Sequence, residues 1–165
     1  MMVCDMFIRY LFLFIILFDN TLYASVRPKD ILKNDADSAV VTNPYTKEEG
    51  GARKGAISAA INNIVELNTL LESHGDSKQN KAKILNSLQV IDELIPSVKI
   101  AGMFNLFPPE MWMSDQTQLG KIAVGILYFN YYPNDRSHKV AYVLKKLKRD
   151  SRFFIVFNFI QQKNE

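Results

Sequence analysis

Histidine, cysteine and the carboxylates are the side chains here that could do chemistry, and they are sparsely placed. The chain has 165 residues, two histidines and one cysteine. His74 and His138 stand far apart, and neither has a second His, Cys or carboxylate at the spacing a metal site needs. Neither lies beside a Ser or Cys in a nucleophile motif. His74 falls in a turn that ends a helix and His138 opens another, so both read as solvated. Sugar hydrolysis can run on two carboxylates, and Glu48-Glu49, Asp92-Glu93, Glu66, Glu72 and Glu110 are available. Glu110 stands out because "FPPEMWM" surrounds it with apolar groups. A glutamate held in an apolar pocket is a known proton donor. No second carboxylate can be assigned to it, so a small hydrolase using Glu110 is the third reading of the chain.

Loop motifs add nothing catalytic. "GGARKG", from Gly50 to Gly55, lacks the Lys-Ser/Thr ending of a phosphate loop. "DADS", from Asp35, lacks the glycine and distal glutamate of a calcium loop. No cofactor and no metal are expected. With no nucleophile, metal or acid–base pair in view, the chain reads as a non-enzymatic binding protein.

Two stretches then remain as candidate contact surfaces. The first is "MFNLFPPEMWM", where Met103, Phe104, Leu106, Phe107, Met111, Trp112 and Met113 crowd around two prolines. Methionine adapts its shape to a partner, and tryptophan is favoured at binding hot spots. Phe107, Met111, Trp112 and Met113 are the expected partner-binding residues; the bland alternative is a lid folded over the core. The second stretch runs from Arg136 to Arg152 and carries seven Lys or Arg against one acid, Asp150. Lys145, Lys146, Lys148 and Arg149 flank an apolar stripe there. Basic charge beside aromatic bulk suits an anionic membrane surface, and the bland alternative is a solvated helix face. Another protein is the expected partner, with an anionic membrane surface as the second reading. The chain's net charge of +3 is too small to argue for nucleic acid.

The elements that must position these residues begin with an address. Tyr10 to Phe18 is an apolar run of about nine residues bounded by Arg9 and Asp19. A membrane-spanning helix needs roughly 20 apolar residues. The run suits the core of a signal peptide, and Leu22-Tyr23-Ala24 before Ser25 offers a cleavage point. Residues 1–24 therefore read as a signal peptide and the protein as exported, periplasmic or secreted. Removing them discards Cys4, the sole thiol. They carry Arg9 against Asp5 and Asp19, so the remainder would be +4. Residues 25–50 mix Pro28, Pro44, Asn, Asp and Lys without period and read as a flexible leader.

Residues 51–165 read as one helical domain. Ile57, Ala60, Ile61, Ile64, Leu67 and Leu71 recur at helical steps and predict a first helix over 52–73. Ile84, Leu85, Leu88, Ile91, Leu94 and Ile95 predict a second, capped by Asp76 or Ser77 and ended or kinked by Pro96. Leu119, Ile122, Ala123, Ile126 and Leu127 predict a third, capped by Ser114 or Asp115. Val140, Val143, Leu144 and Leu147 predict a fourth starting near Ser137. "RFFIVFNFI" is a continuous apolar run that reads either as a buried strand or as a continued buried helix, which periodicity does not decide; its Phe, Ile and Val content leans to strand, with 98–107 as the only nearby partner. The expected fold is thus mostly α, a compact bundle of about four helices with one short β pair near the C-terminus.

Overall fold

The computed structural model describes residues 38–53, 55–73, 77–114 and 117–163. The expected signal segment, His74, Asp76 and Asp115 lie outside the described residues. The fold is mostly α, a compact helical bundle with one small β pair. β1 (Ser38–Thr42) and β2 (Glu49–Arg53) pair antiparallel, with Ser38 opposite Arg53 and Thr42 opposite Glu49. Seven α-helices follow among the described residues: α1 (Ala56–Glu72), α2 (Lys78–Ile100), α3 (Met103–Leu106), α4 (Pro109–Trp112), α5 (Leu119–Tyr131), α6 (His138–Leu147) and α7 (Phe154–Lys163). Short 3₁₀ turns at Pro133–Asp135 and Ser151–Phe153 join the last three.

The β pair is a correction: it lies on the N-terminal side, not near the C-terminus. "EGGAR" has poor strand propensity, because glycine adds no side chain to pack. Packing explains the choice. A Cβ on Gly50 would come within 2.9 Å of Ile100 Cγ1, so glycine lets β2 lie close on the end of α2. Asn43, 1% exposed, holds the connecting loop. Its Oδ1 accepts from the Tyr45 and Thr46 amides at 2.9 and 3.1 Å. Its Nδ2 donates to the Lys99 carbonyl at 3.0 Å and to Asn105 Oδ1 at 3.1 Å. One side chain thereby shapes the loop and fastens it to α2 and α3.

Of the two forms open to 153–160, strand and helix, the chain takes the helix, against the lean of its residue types. Phe153, Val156 and Ile160 are buried at three- and four-residue spacing. The residues a strand would have paired with are occupied by the end of α2 and by α3. α2 also continues past Pro96 to Ile100. Proline forfeits one ladder bond, but Val98 and Ile100 beyond it are buried, and the packing keeps the helix going. Ser77 caps α2 by accepting from the Asn80 amide at 3.1 Å, as expected. Ser137 caps α6 on Val140 in the same way. Ser114 does not open α5; its hydroxyl donates to the Met111 carbonyl at 2.7 Å and closes α4.

α5 is the central element, with ten of its thirteen residues buried. It lies very close to α1. A Cβ on Gly120 would stand 2.2 Å from the Ile64 carbonyl oxygen, and the Gly120 amide donates to Asn68 Oδ1 of α1 at 3.2 Å. Ser87 of α2 donates to Glu66 of α1 at 2.8 Å, and Lys163 of α7 pairs with the buried Asp92 of α2.

Candidate functional site

α1 carries more apolar surface than its own core contact uses. Ala56, Ala59, Ala60, Ile64, Leu67, Leu70 and Leu71 are buried. Ile57 and Ile61, expected on the same face, are exposed, and so is Val65. These three stand at four-residue steps and form one stripe. At about 100° per residue, the apolar positions of α1 sweep roughly two-thirds of its circumference. A core-facing helix needs an arc of only about 100° or somewhat more, and the surplus emerges beside the buried face.

The loop between α2 and α5 stands against this stripe. Gly102, at φ 81°, turns the chain out of α2, and Pro109 starts α4. Trp112 is 9% exposed and Met113 3%, so both anchor the loop to the core. Trp112 meets Phe104 edge-on at 5.8 Å, and Phe104 meets Tyr128 of α5 at 4.6 Å. Met113 fills the space left by Gly125, where a Cβ would come within 2.8 Å of its Cγ. Phe107 and Met111, by contrast, project at 55% and 66% exposure, with Leu106 beside them. The four expected contact residues therefore divide into two anchors and two presented groups.

Between stripe and loop lies a cleft of about 330 Å³. Ile61, Val65 and Thr69 of α1 line it, with Phe107 and Trp112 opposite and Lys121 of α5 as the charged group on its described walls. Sequence reasoning missed Val65 and Lys121. The width of the apolar arc on α1 was the available signal for the first; nothing local marked the second. Glu110 sits exposed in the first turn of α4, without the apolar burial a proton-donating glutamate would need.

The basic cluster is laid out on α6. Val140 and Leu147 are buried, with Val143 and Leu144 half-buried. Tyr142, Lys145, Lys146 and Arg149 occupy the opposite side at three-, four- and seven-residue steps and share a shallow hollow of about 560 Å³ with Asp150. Arg152 grips Asp150, donating to both carboxylate oxygens with a closest approach of 2.6 Å. These bonds outweigh partial burial and hold the Asp150 carboxyl below its ordinary range.

A third polar group joins α2 to α5. Tyr128 Oη donates to Asp135 Oδ2 at 2.5 Å, and Lys99 Nζ donates to the same oxygen at 3.1 Å. Lys99 also lies 3.5 Å above the Tyr132 ring. Burial, then the bond to Asp135, holds the Tyr128 phenol well above its usual range. Burial alone would raise Asp135, but the bonds from Tyr128 and Lys99 lower it. Such a tyrosine keeps its proton and is unsuited to act as a base, so the group reads as a fastening. His138 is exposed at the start of α6. Among the described residues no group of acids, histidines or cysteines could hold a metal ion, and no helix is long and apolar enough to cross a membrane. Comparison with protein families, curated proteins and solved structures finds no match to this chain.

Proposed function

We propose that this is an exported, non-enzymatic binding protein that receives an apolar segment of another protein, as an accessory subunit of an envelope or secretion assembly would. The observation that carries the reading is the meeting of the exposed Ile61 and Val65 of α1 with the presented Phe107 of the loop around one cleft. Burying a large apolar side chain yields about 1.5–3 kcal/mol. Three such groups, already partly covered, together reach at most the lower half of the roughly 4–15 kcal/mol that association costs in lost freedom. The cleft therefore suits a partner that adds apolar area of its own. An amphipathic helix fits, with its apolar face on α1 and a carboxylate toward Lys121. Export rests on the short apolar run before Ser25.

Phe107 and Val65 are the residues to change, because neither supports the core. Cross-linking in the native exported fraction, followed by affinity measurement with the partner so identified, is the direct test. Phe107→Ser and Val65→Ser should each weaken the complex at least tenfold while far-UV circular dichroism stays the same (a tenfold loss is about 1.4 kcal/mol). Full affinity in both folded variants would refute this use of the cleft. Sedimentation of the free chain distinguishes self-association, which would place a second copy on the stripe instead.

A further inference from the structure

The cations between Arg136 and Arg152 are sorted by the fold. Arg152 neutralises Asp150 within its own turn. Lys139, Lys145, Lys146, Lys148 and Arg149 are all exposed, and none forms an ion pair among the described residues. Their positions cover one broad arc of α6 and its C-terminal extension, opposite the apolar stripe. Only the last helical turn gains from cations through the backbone dipole. That gain accounts for the cations at the C-terminal end but not for Lys139, which stands in the first turn, where the dipole disfavours a cation.

We propose that the outer face of α6 docks on an anionic phospholipid surface. Three observations favour a bilayer. The charges lie on the exposed outer side of a helix, so several can meet a plane at once. Tyr142 stands among them at 72% exposure, and tyrosine is enriched at the headgroup level of membranes. The hollow between Tyr142, Lys145, Lys146 and Arg149 offers several donors to one phosphate. The mode of contact differs from that of an inserted amphipathic helix. The apolar side of α6 is already used, with Val140 and Leu147 in the core, so α6 has no free apolar face to bury in lipid. Attachment is therefore electrostatic, peripheral and reversible. It is independent of the cleft, since the two surfaces share no residue.

The test is co-sedimentation of the full chain with phosphatidylcholine vesicles and with mixed phosphatidylcholine–phosphatidylserine vesicles at low salt. The quantity read is the ratio of partition onto the two. An apolar contribution from residues 7–18 would act on both vesicles alike and leave the ratio unmoved. Each surface cation strengthens partition onto an anionic leaflet by a factor of about five. Lys145→Gln/Lys146→Gln should thus lower the ratio roughly 25-fold. Raising salt should lower it too, as the Debye length shrinks to about 3 Å at 1 M. Arg149→Gln, beyond the helix end, gives a second reading if the double variant loses its helical signal. A ratio of one for the wild type overturns the proposal, as does a ratio that folded variants or salt leave unchanged. Binding of poly-glutamate with no preference for anionic vesicles would assign the face to an acidic protein instead.

Discussion

Gly120→Ala is the substitution that best tests how the cleft is built. The added Cβ would lie 2.2 Å from the Ile64 carbonyl oxygen, 2.8 Å from the Asn68 amide nitrogen and 3.2 Å from the Asn68 Cα. All three atoms are backbone, so no side chain can swing aside. A carbon and an oxygen in contact need about 3.3–3.6 Å, so α1 and α5 must part by roughly 1 Å along that line. Overpacking a core costs typically about 1–3 kcal/mol, and a clash between two helix backbones belongs at the upper end. Parting the helices also stretches the bond from the Gly120 amide to Asn68, worth about 1 kcal/mol. Against this, alanine favours a helix over glycine by about 1 kcal/mol. The net expectation is a loss of about 3 kcal/mol, which lowers Tm by roughly 6–12 °C for a domain of this size. Urea and thermal denaturation followed by circular dichroism would measure it. Gly51→Ala is the control, since its Cβ would meet nothing within 4 Å, and it should stay near wild type. α1 and α5 both line the cleft, so Gly120→Ala should also weaken partner binding at temperatures where it remains folded. Wild-type stability in Gly120→Ala would refute the close α1–α5 approach, and with it the shape of the cleft.

Asn43→Ala should cost about 2–3 kcal/mol, because it leaves buried groups without partners; hydrogen exchange should show faster opening of 38–53 than of α5. Phe153 is fully buried, and Phe153→Ala should cost about 3–5 kcal/mol, whereas the exposed Phe154→Ala should stay within about 0.5 kcal/mol of wild type in the same urea titration. The Asp135 and Asp150 carboxyls are lowered in the folded state, so the stability they add is present above their unfolded value near pH 4 and is lost as pH falls through the folded values. Asp135→Asn should therefore be less stable at neutral pH and lose less on acidification below about pH 4, as read from urea midpoints against pH. The intact mass of the protein from fractionated native cells should correspond to a chain beginning near Ser25; a full-length chain in the membrane pellet would replace export with retention.

Periodicity in the sequence determined the principal helices, because a stripe at three- and four-residue steps can be buried only if the backbone is helical. The cap at Ser77 was legible for a similar local reason: a hydroxyl before an apolar-periodic run satisfies the free amides that start a helix. The crowded loop from Met103 to Met113 was visible as composition. Its division into anchors and presented groups was not, because it depends on distant α5, where Tyr128 meets the Phe104 ring that Trp112 packs against and Gly125 makes room for Met113. Only the tertiary structure placed the β pair, since "EGGAR" becomes a strand through the fit of Gly50 against Ile100 rather than through any preference of its own. The same holds for 153–160, where strand-favouring residues are helical because their would-be partners are already in α2 and α3. The stripe at Ile57, Ile61 and Val65 shows the division most clearly. The sequence determined that these residues share one side of a helix, but which apolar side α5 would cover depended on where Gly120 allows α5 to come closest.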